Sequence, residues 1–455
     1  DNEIHIRGGR IDESMFIVDG FSVKDPLSGY SGNLFVNADA IEELEIITGG
    51  YSAEYGQAMS GVINIKLKEG RDYYEGAVKY ASDRFLPDNF NSDRIEFNFG
   101  GPDLFLQTIP GVFGADLPGR FSFFLNGYGK MYDGNLPIAS KLYPHRYWSS
   151  NFIDDKKSDK FMDKLASREN NDWHLLYKIT WELTPQKKLF VSYDASMNIN
   201  QGYYMPRAFA STYFPYRYMN ILDNYNTITR DTRLINMNWT HTLSTKSFYE
   251  FTLGKFSTME HSAVQDLPWT DYQERLDLEP INYNIDNTDQ DGNIQITYGD
   301  EFYDTGFAPE WYDLSSENTR MDLDWTYHTE TRHKLKTGFE HTITDIQVLD
   351  IDEPWSGSSG FGANYDSYNA KTYFGAFYFQ DRIIFEGMTL NIGFRTDYWI
   401  PGRYVEDAIQ DTSNIIITDE ARDIFKEETF DFPWAGDPFK MKARLSPRFG
   451  ISHPA

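Results

Sequence analysis

Trp173-His174-Leu175-Leu176-Tyr177-Lys178-Ile179-Thr180-Trp181-Glu182-Leu183 is the stretch whose reading decides the fold. In an extended chain successive side chains point to opposite faces, so Trp173, Leu175, Tyr177, Ile179, Trp181 and Leu183 share one face, while His174, Lys178, Thr180 and Glu182 share the other. A turn at Thr184-Pro185-Gln186-Lys187 reverses the chain, and the next strand sets Leu189, Val191, Tyr193, Ala195 and Met197 against Ser192, Asp194, Ser196 and Asn198. The pattern returns in Met321, Leu323, Trp325 and Tyr327, followed by Leu335, Thr337 and Phe339. It returns once more in Leu390, Ile392, Phe394, Thr396 and Tyr398, after an aromatic strand over 373–379.

A soluble β-sandwich would cover the apolar face with a second sheet and use strands of about 5–6 residues. These runs are longer, with Tyr and Trp at their ends. Tilted strands of about 9–11 residues bearing aromatic girdles are the units of a membrane β-barrel. The intervening segments 133–170, 200–230, 259–318, 347–369 and 403–440 are long and polar, and they alternate with short turns. That alternation is the loop pattern of outer-membrane barrels, whose long loops face outside.

Composition agrees with this reading. Aromatic residues make up 16% of the chain, with no run of roughly 20 apolar residues that a spanning helix needs, and mean hydropathy is −0.56. A barrel, with only one face apolar, escapes that test. The net charge of −27 argues against nucleic acid as a partner, because phosphate binding needs basic patches. With Cys at 0 there is no disulfide framework, thiolate metal site or cysteine nucleophile. The chain opens on Asp1-Asn2-Glu3-Ile4 without a basic and apolar leader, so any secretory signal is expected upstream.

Residues 1–70 read differently, as a small α/β unit of short β-branched runs punctuated by glycine. Residues 38–45 are expected to hold a helical turn capped by Asp39, before Leu44-Glu45-Ile46-Ile47 extends into Gly49-Gly50. Four blocks follow in order: Ile4-His5-Ile6-Arg7-Gly8-Gly9-Arg10; Phe16-Ile17-Val18-Asp19-Gly20; Ile41-Glu42-Glu43-Leu44-Glu45-Ile46-Ile47-Thr48-Gly49-Gly50-Tyr51-Ser52-Ala53-Glu54-Tyr55-Gly56; and Gly61-Val62-Ile63-Asn64-Ile65. Together they resemble the plug of TonB-dependent outer-membrane receptors. The spelling after Gly49 is most similar to receptors that carry a carboxypeptidase-regulatory-like domain ahead of the plug.

The resemblance implies a mostly β chain: the C-terminal part of an α/β plug domain over 1–70, then an antiparallel transmembrane β-barrel over 71–455. About a dozen candidate strands would be the first half of a barrel of about 22 strands. The TonB box and the beginning of the plug would precede residue 1, and further strands would follow Ala455. It also implies energised import of a scarce solute across the outer membrane of a Gram-negative-type bacterium, without covalent chemistry. The implied partners are TonB with its inner-membrane motor complex, outer-membrane lipid and, in glycan importers, a surface lipoprotein. The alternative is a receptor-like barrel serving as a scaffold or docking component of a cell-surface or secretion assembly.

Arg7, Gly8, Asp19, Gly20, Glu42, Glu45, Gly49, Gly50, Gly56 and Gly61 are the candidate plug and gating residues. The glycines suit tight turns and close backbone approach, and Arg7, Glu42 and Glu45 would face the barrel wall. Anchoring the plug and serving as a lock released on TonB pulling are both open roles for these charges. For ligand contact, Tyr204, Arg207, Tyr216 and Arg217 lie in an aromatic loop suited to stacking on a sugar or flat organic ligand, with loop packing or an interfacial girdle the favoured alternative. Asn287, Asp289 and Asp291 spell a candidate Ca2+ loop that lacks the final Glu, and a solvated acidic turn competes with it. The nine histidines show no pair at helical ligand spacing, so no zinc or haem site is expected. There is no phosphate-binding loop or nucleophile elbow, and no enzyme activity is expected.

Overall fold

Short β-branched runs between glycines pair into a plug sheet ordered β2-β1-β4-β3, with β1 (Ser14–Val18), β2 (Phe21–Ser22), β3 (Ile41–Ile47) and β4 (Gly61–Leu67). This is a computed structural model, and it describes residues 6, 8–10, 13–29, 34–48, 52–56, 60–107, 117–134, 138–145, 164–201, 215–278, 282–288, 294–297, 300, 302–357, 360–413, 417–434 and 437–452. The β1-β2 hairpin closes through Asp19 (φ 47°) and Gly20 (φ 85°), and two left-handed residues in succession suit the right-handed twist of the strands. β4 joins β1 in parallel and β3 antiparallel. The expected helical turn over 38–45 is shorter than its sequence suggests. A 3-10 turn spans only Ala38–Ala40, and its cap is Asn37, whose side chain accepts from the Asp39 N–H. From Ile41 onward the β-branched residues pair with β4 instead.

The wall is one antiparallel sheet of 13 strands. In chain order these are β5 (Glu75–Ser82), β6 (Asp93–Pro102), β7 (Arg120–Tyr132), β8 (Asn170–Thr184), β9 (Lys187–Asn200), β10 (Thr227–Ser244) and β11 (Ser247–Ala263). After a separate hairpin of β12 (Asn282–Thr288) and β13 (Ile294–Thr297) come β14 (Glu310–His328), β15 (His333–Asp352), β16 (Asn364–Phe385) and β17 (Met388–Ile400). A short β18 (Phe430–Trp434) and β19 (Asp437–Ser452) end the series. Each strand pairs with its predecessor in the wall, apart from β18, which flanks β19 at the sheet's edge.

Burial along these strands is inverted relative to a soluble protein. The polar members are covered: Lys178 is 1% exposed, while Asp194 and Arg395 are 0%. Their apolar alternates face outward, with Leu253 at 40%, Ile392 at 45% and Phe377 at 56%. An apolar face that no described residue covers, backed by a buried polar face, is what hydrocarbon outside and a plugged lumen inside require. Leu176 is the informative exception in the opening stretch. It shares the lumen face with Lys178, and with Phe124, Leu234 and Phe256 it packs on Val18, Phe21, Val23 and Ile63 of the plug. Burying each such side chain contributes about 1.5–3 kcal/mol.

Tight reversals join β8 to β9, β10 to β11, β14 to β15 and β16 to β17 at one end, which also holds the longer 103–119 connection between β6 and β7, and the other long connections lie at the opposite end. The strands run further into the polar segments than hydrophobic alternation indicates. β16 has 22 residues, roughly twice the ~9–11 that cross a bilayer. Beyond the apolar band neither face need be apolar, so Ser, Thr, Asn and Asp continue the ladder unannounced. The connection between β17 and β18 holds two helices, α1 (Arg403–Gln410) and α2 (Asp419–Glu428), the second capped by Thr418.

Candidate functional site: the plug-wall interface

The hairpin turn of the plug is held by two wall residues, Lys178 and Asn236, and by Leu67 of its own sheet. Asp19 Oδ2 accepts from Lys178 Nζ at 2.9 Å, and its Oδ1 accepts from the Leu67 N–H at 2.9 Å. Its backbone carbonyl accepts from Asn236 Nδ2 at 3.0 Å. Lys178 also donates to the Leu67 carbonyl at 3.3 Å and lies 3.5 Å from Glu69, which pairs with Lys188 at 2.6 Å. One buried ammonium on β8 thus grips the turn, the end of β4 and the segment that leads into the wall. Beside it, Phe21 rests on Gly254, where a Cβ would come within 2.7 Å of the ring. The absence of a side chain at Gly254 lets the hairpin reach the wall.

A second anchor forms on Ser52-Ala53-Glu54-Tyr55-Gly56. Gln380 Oε1 accepts from Ser52 Oγ at 2.7 Å and from the Ala53 N–H at 2.6 Å. The Arg395 guanidinium donates to the carbonyls of Ala53 (3.2 Å) and Glu54 (3.1 Å), to Asp397 (2.6 Å) and to Glu340. Lys336 pairs with the Glu54 carboxylate and stands 3.6 Å from Asp324. A Cβ on Gly56 would overlap the Arg395 guanidinium, which explains a glycine here at a φ any residue can adopt. A third contact joins Ser316 Oγ to Asp25 Oδ1 at 2.6 Å, next to Asn318 Nδ2 on the Lys24 carbonyl at 3.0 Å.

Between these anchors a cleft of about 600 Å³ opens, lined by Glu54, Tyr55, Arg320, Asp322, Lys336 and Glu340 among others. Burial pushes the Asp19 carboxyl above its ordinary value, against the pull of Lys178 and the Leu67 N–H. Burial also acts to raise Glu69, but Lys178 and Lys188 outweigh it and hold this carboxyl below its ordinary value. Tyr55 is raised by burial and by Glu54, so its phenol stays protonated. Charge-assisted hydrogen bonds between buried groups make a strong closed contact that costs much to open one bond at a time.

The candidates read from the sequence divide. Asp19, Gly20 and Gly56 are at the anchors. Gly8 takes a left-handed φ of 75°, and Gly61 lets Ile6 close over the start of β4, where a Cβ would overlap the Ile6 side chain. Glu42 and Glu45, expected to face the wall, lie exposed on β3, the outer strand of the plug sheet, with no ion pair to a described residue. Arg7, Gly49, Gly50, Tyr204, Arg207, Asp289 and Asp291 lie outside the described residues, as do the side chains of Tyr216 and Asn287. Arg217 is half-buried, with its guanidinium over the Tyr303 ring at 4.3 Å and its carbonyl accepting from the Tyr303 N–H at 2.6 Å.

Sequence reasoning missed the wall side of both anchors: Lys178, Lys336, Gln380 and Arg395.

Residues 1–62 match the family model described as TonB-dependent Receptor Plug Domain. A TonB-dependent transporter, Oar, from Myxococcus xanthus is 33% identical over 75 residues, which are 16% of this chain and 7% of that protein. A probable TonB-dependent siderophore receptor, PirA, from Acinetobacter baumannii is 32% identical over 112 residues, 22% of this chain and 15% of that protein. Among solved structures, the outer membrane transporter YddB from Escherichia coli superposes with a TM-score of 0.53 at 12% identity, over 98% of this chain and 52% of its own. The chain therefore spans about half the length of that structure, and the matched segments span far less of the two relatives.

Proposed function

We propose, for a chain whose N-terminal segment is a TonB-dependent receptor plug and whose wall has the fold of the outer-membrane barrels of such receptors, that it imports a scarce solute into the periplasm. The observation that carries this reading is the double anchor. Lys178 on the Asp19 turn, and Arg395 with Gln380 on Ser52–Gly56, hold the plug by directional polar contacts rather than by apolar packing alone. Directional contacts let go over a short displacement, so a pulling partner can open a path without unfolding the wall. Solute bound at the outer face would favour the arrangement in which TonB engages the plug, since a ligand shifts an equilibrium only by its differential affinity for the two states.

TonB with its inner-membrane motor is the proposed energy source, and outer-membrane lipid the proposed surround of the apolar face. A surface lipoprotein and a carboxypeptidase-regulatory-like domain ahead of the plug belong to the same proposal, the latter resting on the spelling of the block from Gly49. A ferric chelate is the first solute class to test, because one relative is named as a siderophore receptor. The test compares a deletion strain with its parent on defined limiting nutrients, with iron supplied as ferric siderophores in one arm. A nutrient that only the parent uses, and only while its proton-motive force is intact, supports import. Equal growth on every nutrient would leave the scaffold reading in its place.

A further inference from the structure

We propose that His145, His261 and Asp313 form a binding site for one divalent transition-metal ion of the zinc class at the outer rim of the wall. His261 on β11 stands directly opposite Asp313 on β14 in the strand register, and opposite Thr229 on β10. His145 belongs to the loop that follows β7. Its backbone N–H donates to Thr229 Oγ1 at 3.3 Å, and that of Tyr143 donates to Thr227 Oγ1 at 3.2 Å, so the loop is laid along β10. The two imidazoles then face each other with centroids 3.8 Å apart and planes at 30°. One ligand atom from each of the three side chains falls within 4.8 Å of the others.

The His261 side chain is the observation that points to a ligand. It is 7% exposed, and among the described residues neither of its ring nitrogens has a hydrogen-bond partner. Carboxylate oxygens flank both, Asp266 at 3.7 Å from Nε2 and Asp313 at 3.9 Å from Nδ1, beyond hydrogen-bond reach. A buried imidazole with two idle nitrogens is costly, and a cation bound at Nδ1 would satisfy one of them and leave the Nε2 N–H directed at Asp266. Trp311, packed edge-on at 5.4 Å and 86°, fixes the ring from the far side. His145 Nδ1 lies 3.4 Å from Asp266 Oδ1, an outer-shell carboxylate that would orient this ring and leave Nε2 for the metal.

The donor set selects the ion. Two imidazoles and a carboxylate, with no thiolate in a chain that has Cys at 0, suit zinc, nickel or copper and not calcium or magnesium. Tetrahedral zinc wants its ligand atoms about 3.3 Å apart, and since His261 Nδ1 and Asp313 Oδ1 stand 3.9 Å apart, closing the site takes small side-chain rotations of both His145 and Asp313. Bound there, the ion ties the loop after β7 to β11 and β14. The histidines are 116 positions apart in the chain, which is why spacing alone shows no site.

The test uses the full chain, solubilised in detergent, stripped with chelator and titrated with Co2+, whose visible absorption reports a tetrahedral nitrogen-oxygen site, then with Zn2+ as competitor. We expect saturation at one equivalent, displacement by Zn2+, and loss of the band in both His145→Ala and His261→Ala. His333→Ala, at the turn end, should keep it. Should His261→Ala fail to fold, His145→Ala in the loop carries the same comparison. Absence of saturable binding, or a band that persists in the foldable variants, overturns the site. Because the readout is stoichiometry, the result stands apart from whether the protein imports anything.

Discussion

The Lys178 ammonium lies 2.9 Å from the Asp19 carboxylate with the two side chains 0% and 2% exposed, so the plug's hairpin turn and the barrel wall share one buried ion pair. Such pairs add little net stability when whole, since desolvation offsets attraction, but losing one partner strands a charge away from water. A contact with this asymmetry resists partial disruption and yields only when both groups separate into solvent together. That is the property the proposed import requires of a plug seated in the wall.

Lys178→Met should therefore cost about 3–5 kcal/mol, and Asp19→Asn a comparable amount, while the double variant should lose much less than their sum. Thermal or urea unfolding in detergent, read as a double-mutant cycle, checks this. Additive losses would mean the two groups do not depend on each other.

Gly56→Ala places a methyl group on the Arg395 guanidinium. We expect a loss of roughly 1–3 kcal/mol and faster proteolysis of the plug, since either the segment or the arginine must move. Arg395→Ala should not rescue it, because that change frees the carbonyls of Ala53 and Glu54 and strands Glu340. Parental protease resistance in Gly56→Ala would contradict the close approach.

Glu69 supplies a pH dependence. Its folded-state carboxyl sits below the ordinary value, so its stabilising effect is complete above the unfolded value of 4.5 and is lost as pH falls through the folded one. Melting temperatures of the parent and Glu69→Gln should differ above pH 4.5, by the equivalent of roughly 1–2 kcal/mol, and converge at lower pH. A gap that widened on acidification would reverse the assigned sign.

Leu253 points away from the plug on β11 and is 40% exposed. In lipid vesicles Leu253→Arg should lose about 2–4 kcal/mol, the cost of a cation near the bilayer midplane, whereas Leu253→Phe should stay close to the parent. Equal stability of the two variants in lipid would argue that this face does not meet hydrocarbon.

The wall was legible because its signal is local. Trp173, Leu175 and Tyr177 announce an outward face within five residues, and Val18-Asp19-Gly20 announces a turn within three. Leu176 broke the alternation, and only the plug beneath it explains why. The anchors were not legible, because Lys178 and Asp19 are 159 positions apart and Arg395 and Ala53 are 342 apart. Nothing near Arg395 distinguishes it from the other charged residues on a polar strand face. Loop extent was misjudged for a related reason: above the bilayer, polar residues such as those in β16 pair through their backbones and leave no hydrophobic mark.

The central claim, that import requires the plug to leave the wall, is tested most directly by locking the two together. The chain has Cys at 0, so Asp25→Cys with Ser316→Cys, placed at a side-chain contact of 2.6 Å, introduces a single disulfide. Uptake is then measured for the nutrient on which the deletion strain fails, before and after reduction. We expect no uptake while the bond is closed and recovery to the level of the single-cysteine controls once it is reduced. Uptake at the parental rate with the bond shown to be closed would contradict the account.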